Sequence, residues 1–219
     1  MESTSGSVQS VHIGQVETLG SKGKMSAINK RPVSGRVFVS ESGLDGDEQA
    51  DLKNHGGRYM AVHLYPSEHY AKWKVDLPEL KQKFTPGGFG ENLSTVGLTE
   101  NNACVGDVYK LGEALLRITQ GRKPCWKLDV RFGIPGMAKR VLRSGRTGWY
   151  FSVIQKGFIE SGDAIELVER PNPSWNIARL VEYLLSPGPW NPETLTELVI
   201  LGDLSPNWRA IAEKHLQGK

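Results

Sequence analysis

The sequence predicts a mainly β fold, a barrel or sandwich carrying a few helices, followed by a C-terminal three-helix appendage. Three observations predict it. Seven short segments rich in Val, Ile, Phe and Tyr show partial alternation; 25 Gly and 12 Pro fall between them as turns; and the spacing turns helical after the stop Arg170-Pro171-Asn172-Pro173-Ser174. At 219 residues and 38% hydrophobic content the chain can bury a sizeable core. The boundary is drawn at the proline-rich stop, with a β domain over 1–172 and the helical domain over 173–219.

The expected strands are His12–Thr18, Arg36–Ser40, Met60–Tyr65, Cys104–Lys110, Ala114–Thr119, Trp149–Val153 and Ala164–Val168. The first ten residues, MESTSGSVQS, have neither the basic start nor the apolar stretch of a secretory signal and are expected to fray. One helix opens at Pro66-Ser67-Glu68, with Tyr70, Trp73 and Leu77 at spacings of three and four; a second covers Pro135–Arg143. In the tail, Ser174 is placed to cap a helix through Leu185. Asn191-Pro192-Glu193 starts a second through Leu201, and Ser205-Pro206 a third through Leu216. Their apolar faces must be covered, by an edge of the barrel or by a second subunit of a homodimer.

Composition excludes several classes. The formal charge is +3, from 27 Lys+Arg against 24 Asp+Glu, too little to argue for a nucleic acid polymer or an acidic membrane. The last helix offers a DNA backbone only Arg209 and Lys214 beside Glu213, so a helix-turn-helix function is not supported. No apolar run approaches the ~20 residues of a membrane span. Two cysteines form no disulfide framework, which points to the cytoplasm and reduced thiols. The run Asp45-Gly46-Asp47-Glu48 lacks the EF-hand spacing, since the sixth position is Ala50 and the twelfth Gly56. Neither HExxH nor CxxC is present for zinc.

Chemistry concentrates at Gln120-Gly121-Arg122-Lys123-Pro124-Cys125-Trp126-Lys127, where three cations lie within three positions of a thiol. Nearby cations favour the thiolate, the form that attacks electrophiles and binds soft metals, so Cys125 is the candidate functional cysteine. A strand-end cysteine packed as a small hydrophobe is the alternative. Cys104, between Ala103 and Val105, reads as structural. Lys53-Asn54-His55-Gly56-Gly57-Arg58 reads as an anion cradle, its glycines freeing backbone N–H groups beside basic side chains, or as a turn that needs glycine. Gly87-Gly88-Phe89-Gly90-Glu91-Asn92 is a weaker candidate of the same kind. Tyr150 is placed either in the pocket or in the core.

Taken in order, Gly43-Leu44-Asp45-Gly46-Asp47-Glu48-Gln49-Ala50-Asp51, His55-Gly56-Gly57, Phe89-Gly90-Glu91-Asn92-Leu93, Gly106-Asp107 and Arg122-x-Pro-Cys125 resemble the MOSC family, named for the C-terminal domain of molybdenum cofactor sulfurase. Within it the chain is most similar to the YiiM-like subgroup, over about residues 10–170, and the tail resembles that subgroup's three-helix extension. The resemblance implies a β-barrel of the pyruvate-kinase-barrel-like type that binds the molybdenum cofactor (molybdopterin). The motif cysteine, here Cys125, would be molybdenum ligand and catalytic residue. Lys53, His55, Gly56, Gly57, Arg58, Asn92 and Arg122 supply the cations, donors and amide that such a cofactor needs. It further implies reduction of N-hydroxylated bases such as 6-N-hydroxylaminopurine. No flavin, haem or iron–sulfur motif is visible, so electrons are expected from a separate reductase. Two other readings stand beside it: a cofactor or sulfur carrier without reductase activity, and a plain scaffold.

Overall fold

Of the first ten residues expected to fray, Gly6–Ser10 instead belong to a barrel stave, and residues 1–4 lie outside the described residues. In the computed structural model, which describes residues 5–21, 23–51 and 56–218, β1 (Gly6–Ile13) pairs with strands on both of its edges. Its Val8 and Val11 are buried on either side of the register shift between Val8 and Ser10, and these two apolar side chains anchor a Ser-rich segment in the wall. The remaining strands are β2 (Glu17–Leu19), β3 (Lys24–Ser26), β4 (Arg31–Val33), β5 (Val37–Ser40), β6 (Gly43–Leu44), β7 (Val62–Pro66), β8 (Leu93–Val96), β9 (Val108–Leu111), β10 (Ala114–Gly121), β11 (Trp149–Gln155), β12 (Gly157–Ile159) and β13 (Ala164–Glu169). The helices are α1 (Glu68–Asp76), α2 (Lys127–Phe132), α3 (Met137–Ser144), α4 (Ile177–Leu185), α5 (Pro192–Ile200) and α6 (Pro206–Leu216).

The expected fold class holds. Seven strands run in the order β13-β9-β10-β11-β7-β8-β1, and β1 returns to β13 through Gly6↔Ile165 to close the barrel; β4 extends the β1 edge. Every pairing in the ring is antiparallel except β7 with β8. Closure leaves no free edge within the ring. Val62, Leu64, Leu93, Tyr109, Leu116, Ile118, Trp149 and Phe151 fill the interior. A second, aromatic core of Tyr65, Tyr70, Trp73, Phe84, Phe89 and Phe132 lies beneath α1, α2 and α3.

Some expectations shift. Cys104 to Asp107 is a turn, not part of a strand, because Asp107 folds back: its carboxylate accepts the Cys104 N–H at 2.8 Å and is clamped by Arg170 at 2.9 and 2.6 Å. Gly106 in that turn has φ +84°, and a Cβ there would lie 2.6 Å from Asn172 Nδ2. Gly106-Asp107 thus joins the barrel wall to the segment entering the helices. Strand β8 had no expectation of its own, since Glu91-Asn92-Leu93-Ser94-Thr95 carries polar residues at positions that prove buried.

The tail helices form near their expected bounds because their caps are local. Asn191 Oδ1 accepts the Glu193 and Thr194 N–H groups at 2.8 and 3.0 Å, and Ser205 Oγ accepts that of Trp208 at 3.3 Å. The first is capped by Asn176, not Ser174. Ile177, Leu180, Val181, Leu184, Leu195, Leu198 and Trp208 belong to the same core as the barrel interior. Gly121 permits the approach: a Cβ there would sit 2.5 Å from Val181 Cγ2 and 3.0 Å from the Trp208 ring.

Candidate functional site

A cleft opens at the rim where β1 and β10 end and β8 and β11 begin. Lys30, Asp47, Gln49, Met60, His63, Asn92, Arg122, Lys123, Cys125, Lys127 and Tyr150 line it, together with Ala27, Ile28, Glu48, Ala50 and Gly90. The chain leaves β10 at Gly121, and Arg122 is held to the barrel by its N–H, which donates to the Gly148 carbonyl at 3.0 Å. Cys125 follows, half-buried, among the residues that line the cleft.

Asn92 is the fastener of this rim. Its N–H donates to the His63 carbonyl at 2.8 Å, its Oδ1 accepts the His63 N–H at 3.0 Å, and its Nδ2 donates to His12 O at 3.2 Å and Asp47 Oδ2 at 2.9 Å. The carboxamide is therefore committed within the protein and acts on the cleft by positioning Asp47 and His63. Asp47 Oδ1 also accepts the Gly14 N–H at 2.7 Å and the Lys30 ammonium, so the pair Lys30–Asp47 enters the cleft wall buried and paired. Desolvation lowers the Lys30 pKa against the pull of Asp47.

His63 stacks on Tyr150, ring centroids 4.7 Å apart. Burial first, and the Arg122 guanidinium second, hold His63 well below the ordinary histidine range, so it is neutral. Burial raises the Tyr150 phenol, which stays protonated. Arg122 itself is 6% exposed, and its Nη1 is buried without a hydrogen-bond partner among the described residues. A buried guanidinium donor left unpaired is costly, and an anion in the cleft would relieve it.

Several sequence-assigned residues behave differently from one another. Arg122, Cys125 and Asn92 meet at the cleft. Gly57 has φ +85° and opens the 3-10 turn Arg58–Met60, its N–H donating to Gln49 Oε1 at 3.0 Å. The turn sends Met60 to the cleft but Arg58 to a second cleft, with Glu41, Tyr59, Arg117 and Lys156, where its guanidinium lies over the Tyr59 ring. Gly56 precedes this turn, and Lys53 and His55 lie outside the described residues. The Gly87–Gly90 loop is not an outward cradle: its Gly87 and Phe89 N–H groups donate at 2.6 and 3.0 Å to Glu91, a fully buried carboxylate that Ser94 and Tyr70 also reach. Cys104 is buried, and burial with Asp107 nearby pushes its thiol up to about 11. Sequence reasoning did not assign Lys30, Asp47 and His63 to the site. Asp47 stood within the quoted acidic motif, whereas Lys30 and His63 carry no local signal.

A seven-stranded closed barrel with a thiol and buried cations at one rim is the architecture of a MOSC domain. The MOSC domain profile matches residues 51–166, and the chain belongs to this family, which is associated with the molybdenum cofactor. It is 38% identical over 211 residues to the protein YiiM of Escherichia coli (strain K12), covering 95% of this chain and 92% of that protein. A protein named Reductase from Gibberella moniliformis (strain M3125 / FGSC 7600) is 44% identical over 153 residues, covering 69% of this chain but 27% of the relative. The crystal structure of YiiM from Geobacillus stearothermophilus superposes with TM-score 0.82 at 32% identity, covering 96% of this chain and 99% of that one. Among the described residues no helix is long and apolar enough to cross a membrane.

Proposed function

We propose that this protein is a cytoplasmic molybdenum cofactor-dependent reductase of small N-hydroxylated compounds such as 6-N-hydroxylaminopurine, with Cys125 as the molybdenum ligand. The observation that carries the reading is that Arg122, whose buried Nη1 has no hydrogen-bond partner among the described residues, lines the same cleft as Cys125. The residues present fit the group: a thiolate is a soft donor for a transition metal, and Arg122, Lys123 and Lys127 supply charge for an anionic cofactor. When bound, the cofactor supplies the two-electron chemistry that breaks an N–O bond.

The chain's own residues do the rest. Arg122 holds the anionic part of the ligand, while Asn92 and Asp47 keep the rim in register. Neutral His63 and Tyr150 form an aromatic wall with no added charge. Electrons come from a separate reductase.

The test is molybdenum content, by elemental mass spectrometry, of wild-type and Cys125→Ala protein from a host that makes the cofactor, together with reduction of 6-N-hydroxylaminopurine with dithionite supplying the two electrons. Molybdenum and reduction in the wild type alone are expected. Molybdenum that passes to an apo-enzyme without any reduction would replace this reading with a carrier.

A further inference from the structure

Outside the cleft lining, the fold buries a histidine–carboxylate pair that the proposed chemistry does not use. His69 on α1 and Glu100 in the loop between β8 and β9 are both buried, and His69 Nε2 is hydrogen-bonded to Glu100 Oε2 at 2.7 Å. A buried carboxylate is costly unless its oxygens are engaged, and Oε1 takes a second partner, the Gly148 N–H at 2.7 Å. The Glu100 backbone is fixed from another side, since its carbonyl accepts the Ala178 N–H of α4 at 2.8 Å. The carboxylate is therefore a post held between two helices, with one oxygen on the turn that enters β11.

Gly148 passes that constraint to the cleft. Its carbonyl accepts the Arg122 N–H at 3.0 Å and the Thr147 hydroxyl at 3.1 Å, so a single residue is gripped by Glu100 at its N–H and grips Arg122 through its carbonyl. The turn is pressed against β7: Gly148 has φ +71°, and a Cβ there would lie 2.3 Å from Leu64 O and 3.1 Å from His63 Nε2. Two residues on, Tyr150 stacks on His63 in the cleft wall. At the far end of the chain of contacts is Arg122 Nη1, buried with no hydrogen-bond partner among the described residues. A guanidinium recognises an anion through a rigid fork, so its direction depends on the backbone that carries it.

We propose that Glu100 is a positioning residue of the cleft: through the N–H and the carbonyl of Gly148 it holds the Arg122 backbone and so aims the guanidinium at the anionic part of the ligand. His69 engages the second oxygen and keeps the carboxylate turned to Gly148. The inference rests on the reading of Arg122 as the residue that holds the anionic cofactor.

The first measurement is amide hydrogen exchange, by nuclear magnetic resonance, on the full-length protein without cofactor. Glu100→Leu removes the acceptor, whereas Glu100→Gln keeps an oxygen for Gly148; where the leucine variant does not fold, Glu100→Asp, one methylene short of both partners, takes its place. The Gly148 and Arg122 amides are expected to exchange about tenfold faster in the leucine variant and near the wild-type rate in the glutamine variant. The Val8 amide, bonded to Asp163 O on β1 across the barrel ring, should be unchanged. The second measurement is molybdenum content of the same proteins and of Arg122→Met from a host that makes the cofactor. Losses of about tenfold are expected in Glu100→Leu and Arg122→Met, with retention in Glu100→Gln. An Arg122 amide that keeps the wild-type rate in the leucine variant, or speeds up only together with Val8, would overturn the positioning role and leave the reading of Arg122 standing. A wild type without molybdenum, or an Arg122→Met protein that retains it, would overturn that reading and the proposal with it, and the exchange rates tell the two failures apart.

Discussion

Asn92 and Asp47 meet at the cleft rim: Asn92 Nδ2 donates to Asp47 Oδ2 at 2.9 Å, while Asp47 Oδ1 takes the Gly14 N–H and the Lys30 ammonium. One carboxylate thereby ties the ends of β1, the β3–β4 loop and the entry to β8. Removing its charge would leave Lys30 buried and unpaired. Asp47→Asn is expected to destabilise by about 3–5 kcal/mol. The double variant Lys30→Met with Asp47→Leu should cost less than half of that, as read from urea unfolding midpoints.

Arg122 presents the opposite case, a buried guanidinium that forms no ion pair among the described residues. Arg122→Met is expected to leave the cofactor-free protein as stable as the wild type or more so, and to lower molybdenum retained through purification at least tenfold. Thermal unfolding and elemental analysis of the same samples check the two halves together.

The buried histidines give the fold an acid sensitivity. His12 and His63 both have lowered folded-state pKa values, burial being the largest cause for each. Their contribution is therefore complete above the unfolded value of about 6.5 and is lost as pH falls below it, at up to about 1.4 kcal/mol per pH unit for each histidine. His63→Gln should reduce the slope of stability against pH between 6.5 and 5 by one proton's worth, which denaturation at a series of pH values measures.

Gly121 sets how closely the tail helices dock. Its replacement by Ala puts a methyl against Val181 and Trp208 and is expected to cost about 1–3 kcal/mol. Truncation after Arg170 should uncover the apolar face shared with the barrel and increase binding of a hydrophobic dye; a soluble, dye-silent core would count against it.

What the sequence by itself determined is the chemistry that acts locally. Caps at Asn191 and Ser205 start helices with their own side chains, and the cations around Cys125 need no distant partner to mark it out. The β class was legible because alternating apolar residues and turn glycines are short-range signals. Tertiary structure alone decided the rest. Barrel closure brings β1 against β13, pairing Gly6 with Ile165, which turned a Ser-rich segment into a stave. The same closure gathers Lys30, Asp47, His63 and Arg122 from four separate segments. It also turned the Gly87–Gly90 N–H groups inward onto Glu91 and sent Arg58 to another cleft. Buried charges and donors must find partners wherever the chain places them, and that placement is set by non-local strand pairing which local residue patterns do not encode.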